Sequence, residues 1–173
     1  MKIIENICFI DWQNLNLWIK SDGWNINYSR FRIYLKDKLK VKKAYYFLWV
    51  KNESEKWLYS DLEKAWFDLV FKEHSYFQWW KKKWNIDVDL VFEIMHNILK
   101  NKDFEKIVLV SWDWDYFKMV KFLIEENLFE KILFPNKKYS SLYKKLKWEF
   151  RLTLWSDRVK NVLRYTKKGK VAI

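Results

Sequence analysis

Residues 107–116 read IVLVSWDWDY, an unbroken apolar run followed closely by two aspartates. Four aliphatic residues without polar alternation are typical of a strand covered on both faces, as in a parallel sheet. A similar arrangement occurs near the amino terminus, where residues 3–11 read IIENICFID and finish on Asp11. We therefore predict two buried strands, each with acidic residues at or just beyond its carboxyl end.

Apolar runs rich in Ile, Val, Phe and Tyr recur along the chain and alternate with segments of helical spacing. The predicted strands cover residues 3–10, 41–50, 67–71, 107–110, 132–134 and 150–154. The predicted helices cover residues 28–39, 54–66, 88–99, 116–124 and 142–146. This alternation favours an α/β fold, a three-layer α/β/α sandwich around a mostly parallel sheet. The chain length fits one domain over residues 1–165, with a basic tail at 166–173 that we expect to be disordered.

Composition favours an intracellular protein that attracts polyanions. The 173 residues carry 34 Lys and Arg against 22 Asp and Glu, for a net charge of +12. Such a charge attracts nucleic acid, although an AT-rich gene would also enrich lysine. Cys8 is a lone thiol within an apolar run, and no segment has the length of a membrane span. We expect a cytoplasmic protein with no membrane partner, and its oligomeric state stays open, a homodimer included.

Tryptophan and glycine occur in unusual proportions, with 13 tryptophans and two glycines. Glycine ordinarily makes up about 7% of a protein, roughly a dozen residues in a chain of this length. Trp12, Trp84, Trp112 and Trp114 stand beside acidic or basic groups, at positions that we read as turns where a backbone favours glycine. One hypothesis is that many of these tryptophans are UGA codons that the source reads as glycine. The alternative is a chain that is truly rich in tryptophan.

Acidic residues are expected to converge at one edge of the sheet. Asp11 ends the first predicted strand, Asp113 and Asp115 follow the fourth, and Asp87 opens the helix before it. In open parallel sheets, ligands bind outside the carboxyl ends of the strands, where the strand order reverses. Clustered carboxylates repel one another unless a cation neutralises them, and Mg²⁺ and Mn²⁺ prefer oxygen ligands. The pattern predicts a metal site suited to phosphodiester hydrolysis.

Three motifs then resemble the NYN domain family, in the branch of the LabA-like or DUF88 proteins. With tryptophan read as glycine, residues 11–14 (DWQN) resemble the family's D-G-x-N, and residues 83–90 (KWNIDVDL) resemble its K-G-N-x-D-x-D-L. Residues 111–116 (SWDWDY) resemble S-G-D-x-D-F, with tyrosine in place of phenylalanine. The match extends over about residues 7–154, and it implies a fold similar to PIN nucleases.

The resemblance also implies roles for individual residues. Asp11, Asp87, Asp113 and Asp115 would be the catalytic residues that bind Mg²⁺ or Mn²⁺. Three further residues would contact the substrate or support the site: Asn14, Ser111 and Lys83. Asp89 is expected to face away from Asp87.

Three functions follow as alternatives. The first is a metal-dependent endoribonuclease that cuts single-stranded RNA. The others are a non-catalytic RNA-binding or regulatory module and a hydrolase of small phosphoesters. Fold resemblance alone does not establish catalysis.

Overall fold

The computed structural model describes residues 5–21, 23–48, 51–71, 86–100, 103–137 and 139–164. Within these ranges the chain forms one sheet in which all neighbouring strands are parallel, in the order β3-β2-β1-β4-β5-β6. The strands are β1 (Asn6–Asp11), β2 (Val41–Leu48), β3 (Asp68–Phe71), β4 (Ile107–Val110), β5 (Phe129–Phe134) and β6 (Arg151–Thr153). The predicted parallel sheet is confirmed.

Helices connect successive strands. They are α1 (Trp12–Ser21), α2 (Tyr28–Leu39), α3 (Lys56–Lys64), α4 (Ile86–Lys100), α5 (Phe117–Glu125) and α6 (Asp157–Leu163). Shorter 3₁₀ helices lie at Glu53–Glu55, Trp114–Tyr116, Ser141–Lys145 and Trp148–Phe150. The helix predicted over residues 142–146 is thus a 3₁₀ helix, and α1 and α6 were not predicted. No helix in the described ranges combines the length and apolarity needed to cross a bilayer.

The apolar core lies in two layers, one on each face of the sheet. Cys8 and Ile10 of β1 pack among residues of α1, α2, α3 and α6, whereas Ile7 and Phe9 pack among residues of α4 and α5. Alternate side chains of a strand point to opposite faces, so a strand covered by helices on both sides must be apolar throughout. The three-layer α/β/α architecture, the PIN-like fold expected from the sequence, is confirmed.

Helix α3 ends in a motif that normally contains glycine. The amide of Phe67 donates to the carbonyl of Leu62 (3.1 Å), and the amide of Trp66 donates to that of Glu63 (2.9 Å). These paired bonds define a Schellman motif, whose left-handed residue is usually glycine. Here that residue is Trp66, with φ of 64° and an indole that is 82% exposed.

The strand order places the carboxyl ends of β1 and β4 side by side. From β1 the chain builds β2 and β3 in one direction, then returns to place β4 on the other side of β1. This is the reversal of strand order at which open α/β sheets bind ligands. The connections leaving β1 and β4 therefore border one crevice.

Candidate metal centre

Asp11 ends β1 and lies almost fully inside the protein, with 3% of its surface exposed. Its Oδ1 accepts a hydrogen bond from the amide of Asn14 (3.2 Å), and its Oδ2 accepts from the Asn14 side-chain amide. Burial raises the pKa of Asp11 to about 6, although the two bonds from Asn14 oppose that shift. Asn14 therefore holds the Asp11 carboxylate in place at the start of α1.

Asp113 and Asp115 occupy a tight turn just beyond β4. The hydroxyl of fully buried Ser111 accepts from the amide of Asp113 (3.0 Å), and Asp113 Oδ1 accepts from the amide of Asp115 (3.1 Å). Burial raises the pKa of Asp113, and the negative charges of Asp87 and Asp115 raise it further. The turn thus holds two carboxylates close together at an electrostatic cost.

Asp87 approaches this turn from the first turn of α4. Asp87, Asp113 and Asp115 each offer a carboxylate oxygen, and these three oxygens lie within 4.8 Å of one another. All three donors are hard oxygens, the ligand type that Mg²⁺ and Mn²⁺ prefer, so the residues fit such an ion chemically. The predicted acidic cluster is therefore present for these three residues.

Asp11 is connected to the three carboxylates through Tyr116 and does not share their close spacing. The Tyr116 hydroxyl lies 2.6 Å from Asp87 Oδ1 and 3.2 Å from Asp11 Oδ2. A phenol has one proton to donate, so it cannot form a full hydrogen bond to both acceptors at once. Burial and the two carboxylates raise the pKa of Tyr116, which keeps the phenol protonated.

Sequence reasoning gave no role to two tyrosines that support the site. Tyr116 appeared only as a tyrosine in place of the family's phenylalanine. Tyr143, fully buried in the 3₁₀ helix Ser141–Lys145, donates its hydroxyl to the backbone carbonyl of Asp113. Thirty residues separate the two partners, and no local pattern indicates the contact.

Two other predicted residues have different outcomes. Lys83, together with Trp84, lies outside the described residues. Asp89 is half-buried in the first turn of α4, and it is not among the carboxylates that share the close spacing. The expectation that Asp89 stands apart from Asp87 agrees with this placement.

The tryptophans around the site do not occupy left-handed backbone. Among the tryptophans that the structure describes, Trp66 alone has a positive φ. The expectation that the backbone at Trp12, Trp112 and Trp114 requires glycine is therefore wrong as a statement about dihedral angles. Trp12 packs against the core, but its buried indole nitrogen has no hydrogen-bond partner, whereas a buried indole N–H usually finds one.

No curated protein matches this chain. A solved structure of a protein of unknown function from Vibrio parahaemolyticus superposes with a TM-score of 0.70 at 14% identity, covering 95% of this chain and 99% of that one. That similarity supports the fold alone. The NYN domain model matches residues 7–150, most of the chain, including both strands whose ends carry the acidic residues. The chain therefore belongs to the NYN domain family.

Proposed function

We propose that this protein is a metal-dependent endoribonuclease that hydrolyses phosphodiester bonds of single-stranded RNA in the cytoplasm. One observation carries the proposal: three carboxylates from two separate elements meet at the reversal of strand order in a NYN fold. Three clustered negative charges are costly for folding. Their convergence is readily explained when a cation is bound among them.

Asp87, Asp113 and Asp115 would hold Mg²⁺ or Mn²⁺ directly. A bound ion of this kind polarises a phosphoryl oxygen and supplies an activated water. The chain's own contribution is to fix the ligands: Ser111 orients the turn, and Tyr143 holds the Asp113 carbonyl. Asp11 as a fourth ligand stays a prediction. Its oxygens already accept hydrogen bonds from Asn14 and Tyr116, and a metal ion would have to compete with these donors.

The recoding hypothesis is part of this proposal. Glycine at positions 12, 84 and 112 would remove indoles beside the acidic residues and let an RNA backbone approach them. The left-handed Trp66 and the unsatisfied indole nitrogen of Trp12 support it. The test is direct: UGA codons at positions 12, 84, 112 and 114 would support glycine, and UGG codons would overturn the hypothesis.

The nuclease activity is tested with the chain that has tryptophan at positions 12, 84 and 112 and with a variant that has glycine there. Each is incubated with a labelled single-stranded RNA in Mn²⁺ or in EDTA. We expect cleavage that needs Mn²⁺ and is abolished by Asp113→Asn. Asp37→Asn, at an exposed position of α2 far from the site, is the matched control. Equal cleavage by the Asp113→Asn protein and its parent would overturn the mechanism, provided that both unfold at similar temperatures.

A non-catalytic RNA-binding module is the second candidate, and the contact between Tyr116 and Asp11 favours it. A protein hydroxyl occupies a position between Asp11 and Asp87 where a catalytic ion could otherwise bridge them. This alternative predicts RNA binding without a metal and no product after long incubation. Turnover of a small phosphoester while RNA stays intact would instead identify the third alternative.

A further inference from the structure

A run of lysines follows β5 at the same edge of the sheet as the acidic cluster. Residues 135–148 contain five lysines and no aspartate or glutamate. Lys137, Lys144, Lys145 and Lys147 of this run are described and exposed, and we call these four residues the lysine ridge. A run of lysines is commonly just a solvated surface, so its position relative to the site decides whether it has a role.

The segment that carries the ridge is packed firmly against the protein. The Tyr139 ring stacks on Phe134 at the end of β5, with centroids 4.1 Å apart. Tyr143 packs edge-on against Phe117 at 5.6 Å, and the Ser140 hydroxyl accepts from the amide of Leu142 (3.3 Å). Aromatic pairs of this kind stabilise the packing beyond the apolar area that they bury. The ridge therefore has a defined position.

That position is next to the metal centre. Tyr143 donates to the carbonyl of Asp113, and Lys144 and Lys145 follow Tyr143 in the same 3₁₀ helix. With three residues per turn, the two residues after an inward-facing tyrosine face away from the core. Lys144 and Lys145 are thus exposed on the same short helix whose Tyr143 contacts the backbone of Asp113.

A bound cation would neutralise the acidic cluster itself, and a neighbouring cationic surface would attract the phosphates on either side of it. We propose that the lysine ridge is the track along which the RNA phosphates flanking the scissile bond lie. This inference rests on the proposed function and adds the path of the strand to it. Contacts to successive phosphates position a strand without reading its sequence.

The test measures binding separately from cleavage. Labelled single-stranded RNA is titrated with protein in EDTA, by fluorescence polarisation, over a range of KCl concentrations. The test variant is Lys144→Gln/Lys145→Gln. The matched control is Lys36→Gln/Lys38→Gln, which removes the same charge from exposed positions in the last turn of α2. This turn leads into the start of β2, and so it lies at the edge of the sheet opposite to the acidic cluster.

Loss of two phosphate contacts should make the negative slope of log K against log salt shallower by about 1.4, because each contact to a single strand contributes about 0.7 to its steepness. The same relation gives about a 25-fold weaker affinity at about 0.1 M salt. We expect this effect in the ridge variant, and a much smaller one in the α2 variant. Equal weakening by both variants would overturn the proposal, because it would show that only the overall charge matters.

Two further measurements separate this inference from the nuclease proposal. If RNA is cleaved, the ridge variant should raise the KM for a long RNA with little change in kcat, and should leave cleavage of a dinucleotide unchanged. If no cleavage occurs, the binding result still decides the role of the ridge. Preferential binding of an acidic peptide over RNA, lost in the ridge variant, would also overturn the proposal.

Discussion

Replacing Asp11 with asparagine should stabilise the metal-free protein. The buried Asp11 carboxyl has its pKa raised to about 6 in the folded state, against an ordinary value of 3.8. A pKa difference of about two units corresponds to about 3 kcal/mol. Because the pKa is raised on folding, the folded state binds the proton more tightly. Stability from this group is therefore fully present below about pH 4 and is lost as the pH rises through 6.

The Asp11→Asn variant lacks this titration. We expect it to gain up to about 3 kcal/mol in unfolding free energy over the parent at pH 7.5, with most of the gain absent at pH 4. This gain is an upper limit. The side-chain amide of Asn14 donates to Asp11, and an asparagine at position 11 would offer that donor one acceptor oxygen instead of two. In a protein of this size, each kcal/mol corresponds to about 2–4 °C in melting temperature.

Urea unfolding in EDTA at a series of pH values measures this difference. The control is Asp37→Asn, which removes an exposed carboxylate from α2. A constant difference between Asp11→Asn and its parent from pH 4 to 7.5 would refute the reasoning. Destabilisation at pH 7.5 would also refute it, because it would show that the Asp11 charge is fully compensated by its hydrogen bonds.

Three further predictions concern the backbone, the tyrosine bridge and the metal. Trp66→Gly should stabilise the protein by about 1 kcal/mol, because glycine adopts the left-handed conformation without strain. The control Trp57→Gly, inside α3, should destabilise it by about as much. Equal effects of the two variants in thermal unfolding would contradict this prediction. Tyr116→Phe should lower unfolding free energy at pH 7.5 by about 1–3 kcal/mol, since the phenol that Asp87 and Asp11 share as a donor is lost. A stability unchanged within error would show that this hydroxyl is unimportant. The rise in melting temperature caused by Mn²⁺ should shrink from pH 7.5 to pH 5, because protons compete for Asp113, whose pKa is raised; a pH-independent rise would place the ion elsewhere.

The strands of the sheet were readily predicted from the sequence because they are buried on both faces. Such strands are continuously apolar, and β4 was predicted with its observed bounds, Ile107–Val110. The strand-order rule predicts that Asp11 and Asp113 lie at one edge, and Asp87 joins them there because α4 begins at the edge where the parallel strands end. The rule works because the carboxyl ends of neighbouring parallel strands must meet at one edge.

Helix α1 was missed because its polar residues obscure its apolar face. Leu15 and Ile19, four residues apart, are both buried, but Asn14 and Asn16, on either side of Leu15, have low helix propensity. The sequence pattern also indicates a turn at Trp12, whereas this residue begins the helix. Tertiary packing of the apolar pair outweighs these local preferences.

The contacts that organise the site could not be predicted locally. Tyr116 reaches Asp11 across 105 residues, and Tyr143 reaches Asp113 across 30. Both bonds depend on how α5 and the segment after β5 pack against the sheet. Reasoning from motifs identified the charged residues, but it did not find the hydroxyl groups that position them.

Direct measurement of Mn²⁺ binding tests the central claim, that Asp87, Asp113 and Asp115 form a metal centre. Electron paramagnetic resonance detects free Mn²⁺ during a titration of the protein, and so gives the number of bound ions and their Kd. We predict saturable binding in the parent that is lost in Asp113→Asn and in Asp87→Asn, and retained in Asp37→Asn. Unchanged binding in the Asp113→Asn protein, or no binding by a folded parent with glycine at positions 12, 84 and 112, would contradict the account.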